Sequence, residues 1–359
     1  MPAPPDTQQP TTILRPLAWL YAGVAAGRNW LYEHGYKASA PGWVPLIGVG
    51  NLRVGGTGKT PHVAWVVEEL LRQGQRPAIL SRGYGRRTRG PRLAGPADSA
   101  ATVGDEPWQY YGWFAGQGVP VAVAENRQLG LDLLRQQHPA TSVVVLDDAY
   151  QHRRVRPALN ILLTELARPF YADYVLPAGR LRESRAGAAR ADVVVVTKCP
   201  PDLPTATQAA VAVEVRRYAR PGVPVLFSSY AYAAPQLLAP AGAGPARPGP
   251  VGLLTGIAQP GPLREHLQQA GYEVVADFAF PDHHAFAPTE LAAVAARLPA
   301  GVPLLTTEKD AARLATPALL AALAGRVVYT IPVRVALLGN GAAELAGRVG
   351  EAAGRIFGG

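Results

Sequence analysis

The sequence predicts an α/β protein with two domains, and three observations carry that prediction. Short β-branched runs alternate with amphipathic helical stretches, as in a mostly parallel sheet covered by helices. A glycine-rich loop of the phosphate-binding kind stands between one such run and the next helix. A Pro/Ala/Gly-rich stretch at 233–250 then breaks the alternation, which resumes beyond it. At 359 residues the chain can form two cores of ordinary size. Its 48% hydrophobic and 17% charged content is that of a folded chain. A single cysteine, Cys199, excludes an intramolecular disulfide and a multi-cysteine zinc site. Thirty-five Lys and Arg against 26 Asp and Glu give +9, a balance suited to a polyanionic partner. No RNA- or DNA-reading motif or long basic run is present, so no nucleic-acid partner is expected.

Residues 1–36 read as a tail and a membrane-interface helix. Positions 1–12 are polar and Pro-rich, and 13–36 form one helix with Pro16 in its first turn. The uncharged part, 17–27, is about half of the ~20 residues a bilayer span needs. Trp19, Tyr21, Trp30 and Tyr32 suit the headgroup level, with Arg15, Arg28 and Lys37 available to anionic lipid. A signal peptide competes through the small residues at 22–26. Its leader would lack Lys and Arg, and export would part the nucleotide site from ATP. An ordinary core helix is the third reading.

Residues 37–232 form the expected nucleotide-binding domain, with strands at 44–50, 77–81, 119–124, 143–147, 160–164 and 192–197. Helices at 62–73 and 126–137 carry apolar residues at three- and four-residue spacing. After the 233–250 linker, strands at 251–255, 272–280, 303–307 and 326–331 belong to a smaller second α/β domain, 251–359, with a cleft between the two.

The strongest chemical signal is Gly55-Gly56-Thr57-Gly58-Lys59-Thr60, directly after a strand and before a helix. Glycines let backbone N–H groups surround phosphate oxygens, and the helix N-terminus adds partial positive charge. Lys59 is placed for the β/γ-phosphates and Thr60 for Mg²⁺. The first glycine of the standard motif falls on Arg53, and Val54 stands where partitioning-type ATPases carry a lysine. Asp147 and Asp148 end an apolar strand, the usual way to set an acid beside Mg²⁺.

These elements, in this order, resemble the tetraacyldisaccharide 4′-kinase family over about residues 13–335. The resemblance runs through Val49-Gly50-Asn51-Leu52 and the loop, Ser81-Arg82-Gly83-Tyr84-Gly85-Arg86 and Gly104-Asp105-Glu106-Pro107. It continues with Asp147-Asp148-Ala149-Tyr150-Gln151-His152 and Leu176-Pro177-Ala178-Gly179-Arg180-Leu181-Arg182-Glu183. Thr255-Gly256-Ile257, Phe280-Pro281-Asp282-His283 and Thr307-Glu308-Lys309-Asp310 complete it. Ala149 departs from the family, which usually has glycine there.

The resemblance implies two α/β/α domains with the active site between them, the second closing over it. It implies a membrane-associated, cytoplasm-facing kinase of the inner membrane. Such an enzyme moves the ATP γ-phosphoryl to the 4′-hydroxyl of the acylated glucosamine disaccharide 1-phosphate in lipid A biosynthesis. It further implies a catalytic Asp assisted by a His, which map onto Asp105 and His283. A sugar hydroxyl is a poor nucleophile, and a carboxylate in hydrogen-bond reach can take its proton. Asp105 and Glu106, between a glycine and a proline, are expected on a loop. Lys59 and Asp148 join the catalytic set, and Thr60, Asp147, Asp148 and Glu106 are the Mg²⁺ candidates. Among the basic residues at 82–92 and 180–190, Arg82, Tyr84, Arg182 and Glu183 are the substrate candidates. A nucleotide-dependent switch or partitioning-type ATPase at the membrane is the alternative, with a non-catalytic membrane adaptor behind it.

Overall fold

The structure, a computed structural model, describes residues 14–240, 243–257, 259–282 and 284–355. The expected N-terminal tail and His283 lie outside the described residues. The chain opens with α1 (Arg15–Glu33), β1 (Leu46–Asn51), α2 (Lys59–Arg72), β2 (Pro77–Ser81), β3 (Arg92–Leu93), α3 (Ala100–Val103) and α4 (Asp105–Phe114). It continues through β4 (Val121–Val123), α5 (Arg127–Gln137), β5 (Val143–Asp147), β6 (Leu159–Glu165), β7 (Val193–Thr197), α6 (Thr205–Arg216) and β8 (Val225–Tyr232). Next come β9 (Gln236–Ala239), β10 (Gly249–Thr255), α7 (Gly261–Gln269), β11 (Tyr272–Ala279), α8 (Pro288–Arg297) and β12 (Leu304–Thr307). The last elements are α9 (Glu308–Leu314), α10 (Pro317–Ala322), β13 (Val328–Ile331), β14 (Val333–Leu337) and α11 (Gly341–Ala353).

Nine strands form one sheet in the order β14-β8-β7-β6-β1-β5-β2-β4-β3. From β8 to β4 every neighbouring pair is parallel, and β3 runs antiparallel on the edge. The runs Leu46–Asn51, Val143–Asp147 and Val193–Thr197 are buried throughout, as strands covered by helices on both faces must be. Strand alternation sorts the helices. Ile47, Val49, Val143, Val145 and Ile161 share a cluster with Val63, Val67 and Leu70 of α2 and with Leu345 and Val349 of α11. Leu46, Leu80, Val144 and Leu146, one residue out of phase, meet Leu131 and Leu134 of α5. Each such side chain contributes about 1.5–3 kcal/mol by leaving water.

The second sheet has the order β11-β10-β12-β13-β9, parallel except for β9. Leu254, Phe278, Leu304 and Val328 pack with Leu291 and Val294 of α8, whereas Leu253, Leu305 and Ile331 pack with Leu263 and Leu267 of α7.

The chain divides into two compact units whose boundaries differ from the expected domains. Unit 1 is Met1–Ala97, Tyr110–Tyr230 and Val335–Gly359; unit 2 is Asp98–Gln109 and Ala231–Arg334. The C-terminal segment, expected in the second domain, belongs to the first because α11 buries Leu345, Val349 and Ala352 in its core. The expected 233–250 linker contains β9, which pairs with β13 and completes the second sheet. Strands β8 and β14, absent from the sequence reading, extend the first sheet beyond β7.

Asp105 and Glu106 are not on a loop. They open α4, with Pro107 in its first turn. A first-turn amide has no intrahelical partner to lose, so proline is tolerated there, and acids complement the positive helix end.

Helix α1 rests on unit 1 through Ala18, Asn29 and Tyr32, and its other side carries exposed Leu17, Trp19, Leu20, Val24 and Trp30. Arg153 donates to the Asn29 carbonyl at 3.0 Å and to Glu33 at 3.0 Å, and its guanidinium lies 5.5 Å from the Tyr32 ring centroid. Among the described residues no helix is long and apolar enough to cross a membrane.

Candidate active site

The parallel arrangement brings the C-terminal ends of β1, β5 and β7 to one edge, where open α/β sheets bind ligands. The loop from β1 to α2 lies there. Gly55 (φ 111°) and Gly58 (φ 84°) take the left-handed region that favours glycine, and α2 begins at Lys59. A Cβ on Gly58 would also stand 2.7 Å from the Tyr230 hydroxyl. Thr57 is pinned twice: Asn51 Nδ2 donates to its hydroxyl at 2.7 Å, and the Thr197 hydroxyl donates to its carbonyl at 3.0 Å. His62 Nδ1 donates to the Gly58 carbonyl at 2.7 Å, so in the neutral ring Nε2 accepts from the Ser228 hydroxyl at 3.0 Å. Burial lowers this imidazole to about 4, which keeps that tautomer in place at neutral pH. Arg53, at the motif's first-glycine position, pairs with Asp173 at 2.5 Å and donates to the Arg168 carbonyl at 3.2 Å.

The two aspartates at the end of β5 divide. Asp147 is buried, its Oδ2 accepting from the Ser81 hydroxyl at 2.9 Å. Asp148 adopts φ 48°, which aspartate tolerates better than most side chains. It lies 3.8 Å from Lys59 Nζ, and Arg182 Nη1 donates to both of its oxygens at 2.9 Å. Burial opposes ionisation of Asp148, but Lys59 and Arg182 outweigh it and hold the carboxyl below the usual carboxylate range. Ala149 is buried with no positive φ, so alanine in the family's glycine position adds no backbone strain.

Among the described residues no three His, Cys, Asp or Glu side chains form a metal cage. Mg²⁺ at nucleotide sites is held by one or two protein oxygens together with phosphates and water. The hard oxygens of Thr60, Asp147 and Asp148 fit that requirement.

The expected substrate residues separate. Arg82 and Tyr84 are exposed on the loop after β2. Arg182 is committed to Asp148. Glu183 is fully buried, accepting from Arg190 at 2.8 Å, Gln151 at 3.0 Å and Asn29 of α1 at 2.9 Å. Its carboxylate ties the 180–190 segment to α1 and the Gln151 loop. Other basic residues are likewise engaged: Arg86 with Glu125 at 2.6 Å, and Arg185 between the Tyr174 and Tyr218 rings.

Unit 2 carries the other acid. Arg313 of α9 donates to Asp105 Oδ2 from Nε at 2.9 Å and from Nη2 at 2.7 Å. Asp105 and Glu106 thus belong with residues 231–334 rather than with the loop-bearing unit.

Several residues of these centres escaped the sequence reading. Arg127 is buried and donates to the carbonyls of Ala124 at 2.7 Å and Asp147 at 2.9 Å, fastening the end of β5 to the segment after β4. Burial lowers this guanidinium to about 10, opposed by the charges of Asp147 and Asp148. At a helix start, an arginine reads as solvated charge. His62 and Arg313 likewise carry no local signal.

Residues 10–349 match the family model described as tetraacyldisaccharide-1-P 4′-kinase. The tetraacyldisaccharide 4′-kinase of Bacteroides thetaiotaomicron is 38% identical over 344 residues, covering 91% of this chain and 89% of the relative. That of Cytophaga hutchinsonii is 39% identical, covering 90% and 91%. A crystal structure of Aquifex aeolicus LpxK in complex with ATP is similar at a TM-score of 0.73 and 28% identity, over 95% of this chain and 98% of that one.

Proposed function

This chain belongs to the tetraacyldisaccharide-1-phosphate 4′-kinase family, and from that premise we propose how its residues divide the work of the reaction. The reaction is ATP-dependent phosphorylation of the lipid A disaccharide precursor, with ATP and Mg²⁺ as cofactors. The observation that carries our reading is the Lys59–Asp148–Arg182 cluster beside the glycine loop.

Gly55, Gly56, Thr57 and Gly58 cradle the phosphates with backbone N–H groups, and Lys59 balances charge on the moving phosphoryl. Thr60, Asp147 and Asp148 would hold Mg²⁺, which would supply Lewis-acid neutralisation of the phosphate oxygens. Glu106 is a further candidate for it. Asp105 takes the proton from the sugar 4′-hydroxyl as its oxygen bonds to the γ-phosphorus and the bond from that phosphorus to the β,γ-bridging oxygen breaks, so that ADP leaves, with His283 as its assistant. Exposed Arg82 and Tyr84 receive the disaccharide 1-phosphate; Arg182 and Glu183 act from behind, one by holding Asp148 and the other by holding its own segment.

The apolar side of α1 enters the headgroup region of an anionic membrane on the cytoplasmic face, where ATP is available. An acylated substrate and an interfacial helix then share one surface.

The assay uses acylated disaccharide 1-phosphate in detergent with γ-labelled ATP. Label is expected in the lipid. Phosphate release stimulated by a protein, with no labelled lipid, would instead mark the partitioning-type switch. For the membrane, Leu20→Glu with Val24→Glu is expected to abolish most flotation with anionic vesicles and leave ATP binding intact. Unchanged flotation would show that this side of α1 does not meet lipid. Point changes are cleaner than removing α1, which would strip buried Glu183 of its Asn29 partner.

A further inference from the structure

The family motifs of unit 2 converge on one arginine that none of them contains. Arg313 is buried, its side chain 6% exposed, and its two nitrogens on Asp105 both meet Oδ2. Its remaining nitrogen, Nη1, donates to Asp310 Oδ1 at 2.9 Å and to the Gly256 carbonyl at 3.1 Å. Asp310 is in turn immobilised. Its Oδ2 accepts from the Gly256 amide at 2.9 Å and the Thr307 hydroxyl at 2.8 Å. A Cβ on Gly256 would fall 2.9 Å from Asp310 Oδ1 and 3.5 Å from Arg313 Nη1, so this close approach requires glycine. Thr255-Gly256-Ile257 and Thr307-Glu308-Lys309-Asp310 thus build a frame around one guanidinium, whose outer edge is offered to Asp105.

We propose that Arg313 is the positioning residue for Asp105, fixing the direction in which the carboxylate meets the acceptor hydroxyl. This rests on the reading of Asp105 as the base. Exposure supports a working role over a purely structural pair: Asp310 and Arg313 are 0% and 6% exposed, while the Asp105 side chain is 21% exposed. The buried members of the triad are the supports, and the open one is the acid. A guanidinium suits the task because its planar fork engages three acceptors at fixed angles, which a lysine ammonium on a flexible stem does not reproduce. The frame also leaves Arg313 with a carboxylate partner, Asp310, when Asp105 is replaced, so the support does not depend on the group it holds.

The test uses the full-length enzyme in detergent with both substrates varied, comparing Arg313→Lys, Asp105→Asn and the double variant. Arg313→Lys keeps the charge and loses the fork. It is expected to lower kcat by about tenfold or more, since small misplacement of a catalytic group is costly, with KM for ATP and for lipid within about twofold. In the Asp105→Asn background the same change is expected to add nothing, because Arg313 acts only through that carboxylate. Wild-type kcat in Arg313→Lys, or a loss that multiplies in the double variant, would overturn the proposal. If Arg313→Lys fails to fold, Asp105→Glu reads the same demand with the arginine intact: a similar kcat loss is expected, and full turnover overturns it. The two levels separate cleanly. An Asp105→Asn enzyme with full turnover removes the base assignment and the positioning role together. An inactive Asp105→Asn beside a fully active Arg313→Lys removes only the positioning role.

Discussion

Lys59→Ala is expected to reduce phosphoryl transfer to lipid by about 10²–10³-fold or more, the scale on which a single preorganised charge-stabilising donor acts. Lys59 is the first residue of α2, with its ammonium 3.8 Å from Asp148. Its loss should leave the fold intact. Asp148 retains Arg182 at 2.9 Å, and the loop keeps its anchors at Thr57 and Gly58. Nucleotide binding should weaken as well, because part of the lysine's attraction exists in the ground state. A melting curve, ATP titration and labelled-lipid assay on one preparation check all three. A well-folded Lys59→Ala enzyme at full activity would end the phosphate-loop assignment.

Asp105→Ala is expected to cost about 10²–10⁴-fold in turnover, the usual range for a positioned general base. ATP binding should change far less, since Asp105 lies in the unit that does not carry the loop. The fold should tolerate the change, because Arg313 retains Asp310 as a partner. His283→Ala should also lower turnover, and the double variant should be little worse than the poorer single, as for groups that act as one unit. Single losses that simply multiply would show that the two residues act independently. A loss under about tenfold for Asp105→Ala would move the base elsewhere, with Asp148 next in line.

Most strands were legible because their signal is local. Runs such as Val143–Asp147 and Val193–Thr197 announce buried parallel strands by composition alone, and the bounds of β2 and β5 match those read from the sequence. The glycine-rich turn between β1 and α2 was equally legible, since consecutive glycines after an apolar run mark a strand end and a helix start. Strand β9 was hidden in a Pro/Ala/Gly-rich stretch because four residues on a sheet edge need little apolar alternation. The helix start at Asp105 was hidden because two acids followed by a proline suit either a turn or a first helical turn.

What the sequence determined by itself was the α/β class, the glycine-rich turn after β1, and the family order of motifs. Each is written in neighbouring residues. Tertiary structure alone decided which charges pair with which. Glu183, expected at substrate, is buried against a helix 154 residues earlier in the chain. Arg313, with no motif of its own, reaches Asp105 across 208 residues. The C-terminal α11 returns to the first core rather than staying with the segment before it. The physical reason is common to all three. An ion pair or an apolar face specifies what kind of partner it needs and not where that partner lies, and only the folded topology supplies the position.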